Sequence, residues 1–284
     1  MYSHCYSHKL NLAIVKACYV QQVHNAMGVV TKITLFENST KRQAALEEKR
    51  SQTEQPSRKK HLIDLCRTRW IHRHEAFENF VQLFEVVVDL FEDIRSSHDW
   101  KRDTSTNAST LLAAITKFNS LMAIVVAWKT LTLVKALSVG LQSSSIDICK
   151  AYEEAAGTKK SVQHVRNNVD QFHLKWFQIV ESKAATVGAD GPSLPRRCGR
   201  QISRINIPAE EPCEYLKSAV IIPFLDHLLH AFEHRFDIEQ LRVARGLSLV
   251  PATMKTIHSG SKMLWTWHHF MKTICHHRIT LIWS

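Results

Sequence analysis

The chain has 284 residues, 45% of them hydrophobic, with 8 glycines and 7 prolines. That length and apolar content support a packed core and exclude a chain disordered throughout. So little glycine and proline argues against a turn-rich all-β fold and for long helices.

The formal net charge of +11 is concentrated at the ends. Residues 1–75 carry 13 Lys and Arg against 6 Asp and Glu; residues 76–240 carry 18 against 20; residues 241–284 carry 6 against none. Basic ends of this kind bind nucleic acid through phosphates with little sequence preference. A solvated charged surface explains them equally, and composition leaves both readings open. No uninterrupted apolar run reaches the about 20 residues of a membrane span. The most apolar stretch, Leu111 to Leu141, is broken by Lys117, Asn119, Lys129 and Lys135. Lys9 lies inside the first apolar stretch and no cleavage pattern follows it, so no signal peptide is expected. The expectation is an intracellular chain with no membrane partner, its seven cysteines reduced and not a disulfide frame.

Residues 8–36 repeat at helical spacing, with Leu10, Ile14, Ala17, Val20 and His24 on one face. Within them, Gly28 to Leu35 is ambiguous and also fits a strand. Asn38-Ser39-Thr40 reads as a cap for a helix beginning at Lys41. Residues 51–60, with Pro56 and Arg58-Lys59-Lys60, read as an exposed linker. Trp70 to Ile94 is the clearest amphipathic helix. Phe77, Phe80, Val81, Phe84, Val87, Val88 and Phe91 form its stripe, with Glu75, Glu78, Glu85, Asp89 and Glu92 largely opposite.

Asp103 to Ser109 reads as a polar break, followed by a largely buried helix over Thr110 to Leu141. A third long helix is predicted from about Ile146 to Ala185, with an interruption at Gly157. Val187 to Glu211 reads as a long loop with a basic cluster of Arg196, Arg197, Arg200 and Arg204. A final helix starts at Pro212, with Pro223 expected to kink or break it. The fold class is mainly α, a multi-helix bundle of four to six long elements.

Chemistry-bearing motifs are sparse. Cys5-x-x-His8 has metal-ligand spacing but is half a site, since structural zinc takes four ligands. No second pair has conventional spacing, so no metal and no other cofactor is expected, with Cys5 and His8 the weak candidates. The tail residues His268, His269, Cys275, His276 and His277 lack the spacing of a zinc site. No Gly-rich phosphate loop and no Gly-x-Ser-x-Gly elbow occurs, and no small-molecule substrate is implied.

Two segments together carry a family resemblance. Cys5-Tyr6-Ser7-His8-Lys9-Leu10-Asn11-Leu12 and, later, Cys66-Arg67-Thr68-Arg69-Trp70-Ile71-His72-Arg73 resemble the middle of a hAT-superfamily transposase. Phe36 to Arg42, Cys198-Gly199-Arg200-Gln201, Ile222-Pro223-Phe224-Leu225-Asp226-His227-Leu228 and Arg235-Phe236 extend the likeness to about Met254. These later motifs are similar to a subgroup of animal proteins, many of them domesticated or decayed transposases. That subgroup includes proteins named zinc finger MYM-type and repressor of the inhibitor of the protein kinase.

The resemblance implies the helical insertion domain of an RNase H-like nuclease with a stub of its α/β core. Residues 1–36 would be the core remnant, 37–254 the insertion domain with its loop at 187–211, and 255–284 an atypical tail foreign to the family. Both catalytic aspartates of the family precede the first motif, and its last acidic residue belongs to a C-terminal segment not matched here. The expectation is therefore a non-catalytic piece of a transposase-like protein in the nucleus. It would make protein–protein contacts, with a protein partner or as a homo-oligomer, and bind nucleic acid weakly and non-specifically. The alternative is a truncated piece of a full-length domesticated or active DNA transposase.

The family's Arg-Trp motif falls on Arg69-Trp70, whose tryptophan can stack on an unpaired base, a contact contributing about 1–3 kcal/mol in single-strand binders. The other reading is an indole packed on its own helix. Arg58, Lys59, Lys60, Arg67, Arg69 and Arg73 are the candidate phosphate contacts around it. Surface pairing of the nearby arginines with Asp64 and Glu75 is the alternative.

Overall fold

Apolar residues spaced three and four apart set the helices, and the structure, a computed structural model, follows them closely. It describes residues 6–53, 62–63, 70–142, 148–196 and 207–236, and for 70–73 and 148–149 the backbone alone. The described residues form α1 (Tyr6–Ala17), α2 (Gln21–Glu37), α3 (Thr40–Gln52), α4 (Trp70–Ser96), α5 (Arg102–Ile115), α6 (Phe118–Gly140), α7 (Ile148–Asn167) and α8 (Val169–Thr186). After the loop come α9 (Pro212–Leu216), a π-helical turn (Lys217–Ile221) and α10 (Ile222–Arg235). No strand occurs among the described residues.

The centre is α6. Leu121 through Ala127 are all buried, so this stretch has no solvent face. It packs against α2, α4, α7 and α8. Among the described residues α6 is the one helix long and apolar enough by composition to cross a membrane, a property that a buried core helix shares. In the fold most of its apolar side chains are buried against neighbouring helices, with Val139 exposed near its end.

The predicted stripe of α4 is buried throughout: Phe77, Phe80, Val81, Phe84, Val87, Val88 and Phe91. Each such side chain contributes about 1.5–3 kcal/mol when fully removed from water. Phe91 meets Phe36 of α2 edge-on with centroids 5.4 Å apart, and Phe118 of α6 meets Phe177 of α8 at 5.1 Å. Helix α1 lies along α10, and both contribute to the same apolar core as α4 and α6.

Several boundaries differ from the sequence reading, each for a physical reason. The single helix over 8–36 is two, broken at Cys18 to Val20, so the buried face restarts as Val23, Ala26, Val30 and Ile33 and His24 is exposed. Gly28 to Leu35 is helix, since this face has a period of three and four. The polar stretch 103–109 lies in α5. Thr106, Ser109 and Thr110 donate their hydroxyls to carbonyls four residues back, while Ala108, Leu111, Leu112 and Ile115 form the buried stripe. The break falls instead at Thr116 and Lys117.

Gly157 sits inside α7 without interrupting it, and the chain breaks at Asn168. There the Asn168 Nδ2 donates to His164 O at 2.9 Å, closing the end of α7. Helix α8 ends at Thr186, and Gly188 just beyond its cap has a left-handed φ of 61°. The Gly188 N–H donates to Ala185 O and the Ala189 N–H to Ala184 O, a six-residue closure that needs this conformation.

Pro223 is absorbed without a break. The π-turn just before it widens the helix, with the Ile222 N–H bonded to Lys217 O five residues back. This offsets the missing N–H and the ring clash that a proline brings to an α-helix.

Candidate functional site

The segment Arg58-Lys59-Lys60 and the pair Arg67 and Arg69 lie outside the described residues, as does Cys5. Trp70 opens α4 and Arg73 lies in its first turn, as the sequence predicts, and only their backbone is described. His8 is on the first turns of α1 and exposed. Among the described residues no three His, Cys, Asp or Glu come together in a group able to hold a metal ion.

Many of the cations on the helical body are committed to carboxylates. Lys49 Nζ lies 2.7 Å from Asp93, joining α3 to α4. Lys183 lies 3.5 Å from Glu85, joining α8 to α4. Arg166 pairs with Asp226 at 2.6 Å and Lys159 with Glu233 at 2.9 Å, joining α7 to α10. Hydrogen bonding to Asp93 raises the Lys49 ammonium above its usual range. Each exposed pair contributes little, about 0–1 kcal/mol, but each also occupies a cation that could otherwise meet a phosphate. Residues 76–240 are near balance in charge, and the excess lies in residues 1–75, which include α1 to α3, and in residues 241–284.

Sequence distance hides one Cys–His pair. His173 of α8, 2% exposed, places Nε2 2.8 Å from the Cys213 carbonyl oxygen and 3.0 Å from its Sγ. Lys217 braces the surface beside it, 2.6 Å from Asp170 and 2.7 Å from Glu214. Burial pulls the His173 imidazole below its usual range. Burial first, then Glu214 and Glu181, pushes the Cys213 thiol up. Both groups are thus neutral at pH 7, whereas nucleophilic cysteines need the thiolate. The pair is a hydrogen-bonded junction between α8 and α9, with His173 buried and Cys213 half-buried.

The second residue hidden from the sequence is Glu37, the last of α2, which is 3% exposed and beside a cavity lined also by Thr34, Asn38, Gln43, Leu46 and Leu62. Its position did carry a signal: Val30, Ile33 and Glu37 continue the three-and-four spacing of the buried face.

No protein-family model matches the chain, and no solved structure does. The chain is similar to the human (Homo sapiens) protein named 52 kDa repressor of the inhibitor of the protein kinase, with 26% identity over 260 residues, covering 89% of this chain and 34% of the relative. It is also similar to the mouse (Mus musculus) protein of that name, with 27% identity over 261 residues and the same coverage. The chain spans about a third of the length of these curated relatives.

Proposed function

We propose that this chain is a transposase-derived, non-catalytic binding module with a regulatory role in the nucleus. Its helical body presents surfaces to a protein partner or a second copy. Its basic segments hold nucleic acid through phosphates without reading sequence. The similarity over 89% of the chain to proteins named as repressors carries the reading. The hAT motifs at Cys5 to Leu12 and Cys66 to Arg73 supply the transposase origin. The ion pairs between helices occupy Lys49, Lys159, Arg166 and Lys183, which supports placing the phosphate contacts on the basic segment around Arg58 to Arg73.

A second reading has one observation in its favour. The relatives are about three times as long as this chain, so a longer product could carry the two aspartates of an RNase H-like nuclease. Incubating the longest in-frame product of the same transcript with supercoiled plasmid and Mg²⁺ separates the two. Retarded but intact plasmid is expected. Nicked or linear product that disappears on chelation would overturn the non-catalytic reading.

A further inference from the structure

Glu37 ends α2, where the helix dipole already places partial negative charge and a carboxylate is disfavoured. Its side chain is 3% exposed, and neither carboxyl oxygen has a hydrogen-bond partner. The cation that influences it is Arg42, and Arg42 is engaged elsewhere. Its Nε donates to the Phe36 carbonyl oxygen and its guanidinium lies 4.6 Å over the Phe36 ring. A buried carboxyl without a partner is costly, and more so if charged, so a fold that keeps one gains from a ligand that satisfies it.

Beside Glu37 the cavity measures about 190 Å³. That exceeds the about 150 Å³ of an engineered cavity known to hold benzene, so a short organic group fits. Thr34, Asn38 and Gln43 bring polar atoms to its lining, and Leu46 and Leu62 bring apolar wall. The Thr34 hydroxyl spends its proton on Val30 O, which leaves its oxygen free to accept. A carboxyl with a hydroxyl and two amide side chains for neighbours, and aliphatic wall beyond, matches an ammonium on a methylene stem. A carboxylate or phosphate ligand would meet the end of α2 and the ionised Glu37 itself and is disfavoured there, although Arg42 and the first turn of α3 oppose that field.

We propose that this cavity at the C-terminal end of α2 binds a primary alkylammonium group, with Glu37 as its counter-ion. The group is the tip of a lysine side chain from another molecule or a free short amine; the chemistry is shared. This site is independent of the nucleic-acid reading above. Burial raises the Glu37 carboxyl to about 8, so the unliganded site is protonated at pH 7 and an arriving ammonium displaces that proton.

The test follows the Glu37 carboxyl carbon by NMR in the full chain labelled with ¹³C-glutamate, its signal assigned by loss in Glu37→Gln. The titration midpoint is measured alone, with n-butylammonium, with Nα-acetyl-lysine methylamide and with tetramethylammonium, which has no N–H. Butylammonium is expected to move the midpoint about one pH unit lower or more, a tenfold preference for the ionised carboxyl. Tetramethylammonium should leave it in place. An equal effect of the lysine derivative assigns the site to a lysine tip, and its failure beside a butylammonium effect assigns it to a free amine. A midpoint unmoved by both amines, or moved as far by tetramethylammonium, overturns the proposal. Glu37→Gln keeps the side-chain shape and resembles the protonated acid, so its thermal melt checks that assignment is made on a folded chain.

Discussion

His173 Nε2 lies within hydrogen-bond reach of both the carbonyl oxygen and the sulfur of Cys213, 40 residues away in sequence. The contact fixes the short α9 against α8 at the point where the chain returns from its long loop. His173→Ala removes the partner of the part-buried Cys213 carbonyl and opens a cavity. It is expected to lower unfolding stability by about 2–4 kcal/mol, read from urea denaturation. His173→Ala should also leave helix content in the folded baseline unchanged.

The same pair sets a reactivity expectation. The Cys213 thiol is pushed up by burial and by the nearby glutamates, so it should alkylate more slowly at pH 7.5 than a free cysteine, with the rate rising as pH climbs above the usual thiol range. Peptide mapping after timed iodoacetamide treatment reads Cys213 separately from the other cysteines. Rapid alkylation at pH 7 would mean a thiolate and a different role for His173.

Glu37 gives the fold a pH dependence of definite sign. Its carboxyl is raised from 4.5 to about 8 in the folded chain, first by burial, with Arg42 opposing. Between those values the folded state holds a proton that the unfolded state has released. The contribution is fully present below about 4.5 and is lost as pH rises to about 8. The slope is about 1.4 kcal/mol per pH unit across that window. Glu37→Gln should flatten this decline and leave the variant on the order of 3 kcal/mol more stable than the parent at pH 7, measured by denaturation across pH 5 to 8.

Two glycines behave oppositely. Gly157 lies inside α7 with nothing within 4 Å of an added Cβ. Gly157→Ala should raise stability by about 0.5–1 kcal/mol through helix propensity. Gly188 has the left-handed φ of 61° that closes α8. Gly188→Val should cost about 1–2 kcal/mol, since a β-branched residue resists that conformation. Thermal melts of the two variants should move in opposite directions.

The helical architecture was legible because α4 and α6 announce themselves. Phe77 through Phe91 repeat with a helical period, and Leu121 through Ala127 are apolar all round. Boundaries were legible only where a local rule dominates. Trp70 and Pro212 begin helices as read, while the polar run at 103–109 concealed α5, because hydroxyls that satisfy themselves inside a helix look like a loop in sequence. Gly157 signalled a break that the packing of Ala151, Ala155, Val162 and Val165 overrides. Of the candidate site, the basic motif is a reading of residue types alone, since Arg58 to Lys60, Arg67 and Arg69 lie outside the described residues. The His173–Cys213 junction was not, since pairing across 40 residues depends on how α8 and α9 pack. Glu37 was readable in principle from its register with Val30 and Ile33, but a carboxylate at a core position is discounted by any polarity rule.

The binding claim meets its most direct test in fluorescence anisotropy of the full chain with a labelled 20-base-pair duplex from 50 to 200 mM salt. The parent is compared with a variant in which Arg58, Lys59, Lys60, Arg67 and Arg69 are reversed to glutamate. If all five cations hold phosphates, parent affinity should fall roughly 10²–10³-fold across that range and the variant's log–log salt slope should be shallower by about 4. Affinity and slope unchanged by the reversal would contradict the account and leave the basic segments as solvated surface.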